Sequence, residues 1–373
     1  MLYFKNKRLP WLLMAAIIGV FFFIGGLGIE VDVVQYFGVL VGVLLVSLTW
    51  LLKRKIKLPR GIILYSLFLI LFIAHSFKVS IYSKKSLEVF SLFFGGGLFW
   101  VAAYNLRDEL RPYFDKIIII FGLIFAGLYF FNNLFGDPTL VKPWSLYAQA
   151  SAFVNHNHIG DLWAVVLTVA AFYAAKKPKS LYIWILIPLG VYLLVASQSR
   201  SAYVALAVGV SCLAKELGLI GRYKKAFVLF IVLILALFLY VGTQKSILFS
   251  RPYYMQAIVG FIRTPQGVGV GNFGIISKDP ANHILGLSGF SSVAHNIVLE
   301  VMTGLGILGL VFVGWFIKIL YELWKKSSSK ELVYKATFFA LTANFLFDTT
   351  YFIPVMLWLW FTALGLSQKM ALG

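Results

Sequence analysis

The chain has 373 residues, of which 61% are hydrophobic, and a mean hydropathy of +0.88. That composition leaves too little polar surface for a water-soluble globule of this size, which excludes a soluble enzyme or a soluble nucleic-acid-binding domain. The net charge of +19 sits in short segments between apolar runs, the distribution expected of a polytopic membrane protein rather than a nucleic-acid partner.

Taken in order, apolar runs long enough to be membrane spans, which need about 20 residues each, number about twelve. They fall at 11–29, 33–52, 61–77, 87–106, 117–135, 159–175, 181–196, 202–217, 226–243, 296–321, 334–347 and 350–367. The basic N-terminal residues precede an apolar run with no small-residue cleavage site, so the first run is read as a span and not as a removed signal peptide. The single cysteine, Cys212, lies inside an apolar run and excludes an intrachain disulfide.

Lysine and arginine set the orientation. Lys5, Lys7 and Arg8 precede the first span, and basic clusters such as Lys53–Arg60, Arg107–Lys116, Lys176–Lys179 and Lys215–Lys225 follow even-numbered spans. All of these boundaries share one side, the cytoplasm, and both termini are then cytoplasmic. The expected fold is an all-α, polytopic membrane protein forming a single transmembrane domain over 1–373. One extracytoplasmic loop, 244–295, joins the ninth and tenth spans.

The residues with chemistry to offer gather on that outer face. Asn155-His156-Asn157-His158 with Asp161 opens the sixth span. Ser197-Gln198-Ser199-Arg200-Ser201 lies between the seventh and eighth, and Asp348 between the last two. In the 244–295 loop, Tyr254, Ile258, Phe261 and Ile262 recur at helical spacing beside Gln256 and Arg263, predicting an amphipathic helix at the membrane surface that Pro265 stops.

Gly269-Val-Gly271-Asn-Phe-Gly274 matches the dinucleotide pattern GxGxxG, but no βαβ unit surrounds it and cytosolic nucleotides do not reach this face. The remaining readings are a tightly turned glycine loop, or a loop whose backbone N–H groups approach an anion. His156, His158 and Asp161 have the spacing of a metal site but lack a further ligand. The competing readings are a helix start capped by Asn157, or a polar pocket lining with His158 and Asp161 on one helix face. Arg200 and Arg251 are cations on a face that should be poor in them. Their planar forks suit phosphate oxygens, while snorkelling to lipid headgroups is the plain alternative. His295 opens the tenth span and, with an ordinary pKa near 6.5, is a candidate proton acceptor. Asn296 and Glu300 share a helix face, and an acid within a span faces the protein interior. The glycines at 304, 306 and 309 permit close helix packing.

Four of these pieces, in this order over residues 150–310, resemble the O-antigen ligase and polymerase superfamily. They are Phe153-x-Asn155-x-Asn157-His158, Ser199-Arg200-Ser201, Arg251 with Pro265 and Gly267-x-Gly269-x-Gly271-x-Phe273, and Ala294-His295-Asn296-x-x-Leu299-Glu300 running into Gly304-x-Gly306-x-x-Gly309. Thr303 departs from the pattern, where many relatives carry an acid, and the outer loop is compact. The resemblance implies a GT-C-like, inverting, metal-independent glycosyltransferase in the cell inner membrane, with a periplasmic active site and no cofactor. Its donor would be a glycan on undecaprenyl diphosphate, and its acceptor lipid A-core or a growing glycan. It further implies that Arg200 and Arg251 stabilise the leaving diphosphate. His295 would act as base or phosphate ligand, while Asn155, Asn157, His158, Asn296 and Arg263 would contact substrate. A polymerase, a transferase to protein hydroxyls and a lipid-glycan transporter stay open as alternatives.

Overall fold

The structure, a computed structural model, describes residues 31–135, 156–177, 180–244, 252–283, 289–325 and 331–369. Every regular element among the described residues is a helix. The first half runs α1 (Val31–Lys53), α2 (Ile62–Lys78), α3 (Ser83–Asn105), α4 (Arg107–Phe135), α5 (His156–Lys176), α6 (Leu181–Ser197) and α7 (Arg200–Glu216). A one-turn helix α8 (Leu219–Arg222) leads into α9 (Lys224–Gln244), then α10 (Pro252–Arg263) and the short α11 (Phe273–Lys278). The chain closes with α12 (Ile297–Leu305), α13 (Leu310–Lys325), α14 (Leu332–Phe345) and α15 (Pro354–Ser367).

Among the described residues, four helical stretches are long and apolar enough to cross a membrane: Ser83–Asn105, His158–Lys176, Lys224–Val241 and, counted through its 3₁₀ turn, Ile297–Lys325. Gly38–Lys53, Ile62–Lys78, Ile183–Ser197 and Pro354–Ser367 are apolar but only 10–17 residues long. The first expected span, 11–29, lies outside the described residues.

The core is a chain of helix pairs. α1 packs on α3, α3 on α15, α15 on α14, and α14 on both α5 and α7. α14 is buried around its whole circumference: from Leu332 to Phe345 only Phe339 is not fully buried, as expected for a central helix. Large aromatics fill the space between α2, α3, α13 and α15. Trp315 lies 4.7 Å from Tyr65 and 5.9 Å from Trp360, ring centre to ring centre, and Tyr65 donates to the Phe93 carbonyl at 2.6 Å. α9 is the opposite case. Val228, Leu229, Val232, Leu233, Leu235 and Tyr240 are all exposed on it, which suits a lipid-facing helix whose backbone bonds are satisfied internally.

At the end of the bundle bearing the even-numbered basic clusters, ion pairs tie helix ends together. Arg111 Nη2 donates to Glu331 Oε1 at 3.0 Å and to the Leu366 carbonyl at 2.7 Å, and Lys335 pairs with Glu216 at 2.8 Å. Asp115, just inside α4, is buried there with Oδ1 lacking a hydrogen-bond partner, and burial pushes its carboxyl pKa above the usual range.

Two expectations are corrected. The run 296–321 is not one unbroken helix: α12 ends at Leu305, a 3₁₀ turn covers Gly306–Gly309, and α13 restarts at Leu310. The cause is the glycine loop. Val268 and Gly269 donate to the carbonyls of Thr303 and Gly304 at 3.2 and 2.8 Å, and Ile307 donates to the Pro265 carbonyl at 2.8 Å. The carbonyls at the end of α12 are therefore satisfied by the loop instead of by the next turn. The approach is backbone on backbone. A Cβ on Gly306, itself at φ 58°, would run into the Pro265 carbonyl oxygen, and one on Gly267 into that of Gly304. The second correction concerns Asn157. α5 is helical from His156, so Asn157 lies within the helix and not at the N-cap position.

Candidate functional site

The elbow between α6 and α7 is two residues long. Gln198 takes a left-handed conformation, φ 48°, and Ser199 caps α7 by accepting from the Ala202 N–H at 3.3 Å. This turn presents Ser199 and Ser201 to Asp161 of α5. Ser199 donates to Asp161 Oδ1 at 2.9 Å and Ser201 to the same oxygen at 3.0 Å. Ser201 also reaches Asp348 Oδ2 at 2.9 Å, in the turn after α14. A hydroxyl has one proton to give, so Ser201 donates to one carboxyl group at a time and links the two.

The line of polar groups continues at both ends. Asp348 Oδ1 stands 4.0 Å from His295 Nδ1, and Asp161 Oδ2 stands 3.8 Å from His158 Nδ1. Asp161 is fully buried, and its Oδ2 and His158 Nδ1 have no hydrogen-bond partner. His295 keeps 29% of its side chain exposed, and its backbone is left-handed, φ 54°, two residues before α12 begins. A non-glycine residue held left-handed carries strain of about 1–3 kcal/mol that the surroundings must offset. Those surroundings are specific. The Tyr253 ring stacks on the imidazole at 5.2 Å, and Tyr254 donates toward the His295 carbonyl at 3.1 Å and the Leu346 carbonyl at 3.3 Å.

The expected site residues fall into three groups. His295, His158 and the Arg200 elbow come together through Asp348, Ser201 and Asp161. Arg200 itself, at the first turn of α7, holds its guanidinium 5.9 Å over the Phe238 ring of α9. Asn296 and Arg263 have structural partners. Asn296 Oδ1 caps α12 by accepting from the Val298 and Leu299 N–H groups at 2.9 and 3.0 Å, and its Nδ2 donates to the Leu346 carbonyl at 2.9 Å. An Asn directly before an apolar helical run is itself a capping signal. Arg263 donates to the Ala281 carbonyl at 2.9 Å, at the end of α10 about 15 Å along the axis from Tyr253. Arg251 and Asn155 lie outside the described residues, and Asn157 is described only as part of α5. Among the described residues no group of three or more His, Cys, Asp or Glu is gathered to hold a metal.

In the sequence Asp348 stands out only by its side of the membrane and Ser201 only as part of the Ser199-Arg200-Ser201 motif, and neither Tyr253 nor the carboxylate-to-serine link is visible there. A lone acid between two long apolar runs was the available signal. The GxGxG loop does bring an N–H to an acid, but one inside the chain: Gly271 donates to Glu300 Oε1 at 3.0 Å.

Comparison with known proteins adds no relative: no family model matches the chain, and neither a curated protein nor a solved structure matches it.

Proposed function

We propose that the chain is an inverting, metal-independent glycosyltransferase of the O-antigen ligase type, with about twelve spans and both termini cytoplasmic. It would move a glycan from undecaprenyl diphosphate to a sugar hydroxyl of lipid A-core on the periplasmic face of the inner membrane. The observation that carries this reading is the convergence of three separated motifs on one polar cluster. His295, the Ser199-Arg200-Ser201 elbow and the His158/Asp161 helix start lie far apart in sequence, yet join through Asp348 and Ser201.

In the reaction, the acceptor oxygen bonds to the anomeric carbon as the bond from that carbon to the diphosphate breaks. The diphosphate leaves with the electron pair, and the hydroxyl proton passes to His295. Arg200 and Arg251 stabilise the growing negative charge, each worth about 3–4 kcal/mol when well placed. Asp348 faces the other nitrogen of the His295 ring, where it fixes the ring and balances the imidazolium that forms. Asn155, Asn157 and His158 contact the sugar or diphosphate.

The test uses purified protein with undecaprenyl-diphosphate glycan and lipid A-core, wild type beside His295→Ala. Glycan-bearing lipid A from wild type alone supports the ligase. Longer lipid-linked chains without lipid A product make the protein a polymerase of the same superfamily, and glycan on a protein acceptor makes it a protein transferase. A second class of reading is lipid-glycan transport, favoured by buried Asp161 and Asp348 and by the interrupted helix at Gly306. No transfer at all, with a donor that another enzyme accepts, would select it.

A further inference from the structure

Glu300 is 1% exposed, in the first turn of α12, and both of its carboxyl oxygens are used. Oε2 accepts from the Ala294 N–H at 2.7 Å and Oε1 from the Gly271 N–H at 3.0 Å. The Tyr351 hydroxyl approaches Oε2 at 3.5 Å. One side chain thus joins the glycine loop to the residue directly before His295. The carboxyl is buried in protein, and its two N–H partners are backbone groups that would otherwise be buried without an acceptor.

We infer that Glu300 is a positioning residue for His295: by holding the Ala294 N–H against the glycine loop, it keeps the His295 backbone in its left-handed conformation. This rests on the glycosyltransferase reading only for its catalytic consequence. The reasoning is local. The Asn296 cap fixes the chain on the far side of His295, through Val298, Leu299 and the Leu346 carbonyl. On the near side, Ala294 is fixed through Glu300. Between two anchored neighbours the strained residue has no room to relax. The loop is a firm support because it is itself bonded to the end of α12 through Val268 and Gly269. Glu300→Gln leaves one acceptor oxygen and sets an NH₂ group against the other N–H; Glu300→Ala leaves neither acceptor.

The experiment takes the full-length chain in lipid nanodiscs, as wild type, E300Q and E300A, and reads hydrogen–deuterium exchange of peptides covering Gly271 and Ala294, together with the transfer kinetics. In wild type both amides are expected to exchange slowly. In E300Q they exchange at least about tenfold faster while Val301–Leu305 keeps its protection. The kcat for transfer falls about 100-fold with little change in the KM of the lipid-diphosphate donor, and E300Q retains more activity than E300A. Fast exchange of these amides in wild type, which needs no variant to fold, would overturn the inference. So would unchanged exchange in folded E300Q, or wild-type kcat in a variant whose exchange has risen. Absence of transfer by the wild type would remove the glycosyltransferase reading, and the exchange data would still decide whether Glu300 holds the His295 backbone.

Discussion

Asp348 Oδ1 lies 4.0 Å from His295 Nδ1, an approach made by a turn that follows α14 and a residue that precedes α12. The pair is within ion-pairing reach once the ring is protonated, and the Thr349 N–H, 2.6 Å from the same oxygen, fixes the carboxylate. A base that must accept a proton and hold it gains from a fixed carboxylate on its far nitrogen.

Asp348→Asn keeps the shape of that side chain and removes its charge. Transfer is expected to fall about 10- to 100-fold, carried by kcat more than by the KM of the donor. Steady-state kinetics of the folded variant check this, and an unchanged kcat would place Asp348 outside the reaction.

Arg200→Lys keeps the charge and loses the planar fork. Most of the activity is expected to go with it, because a lysine offers one point charge where two parallel donors fit a diphosphate. The measurement is transfer by the variant at saturating donor, and turnover equal to wild type would argue against diphosphate binding by Arg200.

Gly306→Ala sets a methyl group into the Pro265 carbonyl at a residue with φ 58°. Neither backbone can yield cheaply, so a stability loss on the order of 3 kcal/mol, or failure to fold, is expected. Gly314→Ala is the control: its Cβ would meet nothing within 4 Å, and within α13 alanine is neutral to stabilising. Thermal unfolding of both variants in detergent separates the two outcomes.

Asp115→Asn tests the buried acid of α4. Burial raises the folded-state pKa above its unfolded value, so the folded state takes up the proton more readily. Stability of the wild type therefore falls as pH rises from about 4 through the raised pKa, and the variant lacks that fall. At neutral pH the variant should unfold about 2 °C or more higher, with the gain vanishing below pH 4. Melting curves across pH read this directly.

The helices were legible because apolar runs and charge gaps report local burial. The spacing of Tyr254, Ile258, Phe261 and Ile262 likewise announces α10. The two glycine motifs were visible one at a time, but not that they are halves of one backbone seam. That seam depends on residues some forty positions apart meeting, and no local pattern encodes a meeting. The same holds for Asp348, Ser201 and Asp161. Each is visible in its own motif or between two apolar runs, but the cluster exists only through the packing of α14 on α5 and α7. Asn296 carries two signals at once: beside a histidine it reads as part of a site, while its position before an apolar helix reads as a cap, and its Oδ1 makes the bonds of the cap.

The turn at Gly306–Gly309 also changes how the chain meets a bilayer. Ile297–Lys325 spans 29 residues, about 43 Å as one straight helix, against a hydrocarbon layer of about 30 Å. An uninterrupted helix of that length would have to tilt or thicken the lipid around it. Divided as it is, α12 has no exposed residue, while α13, 16 residues and about 24 Å, carries the exposed Ile317, Tyr321 and Trp324. The break thus shortens the straight apolar segment, and the glycine loop, bonded to the end of α12 through Val268 and Gly269, ties that end to protein backbone.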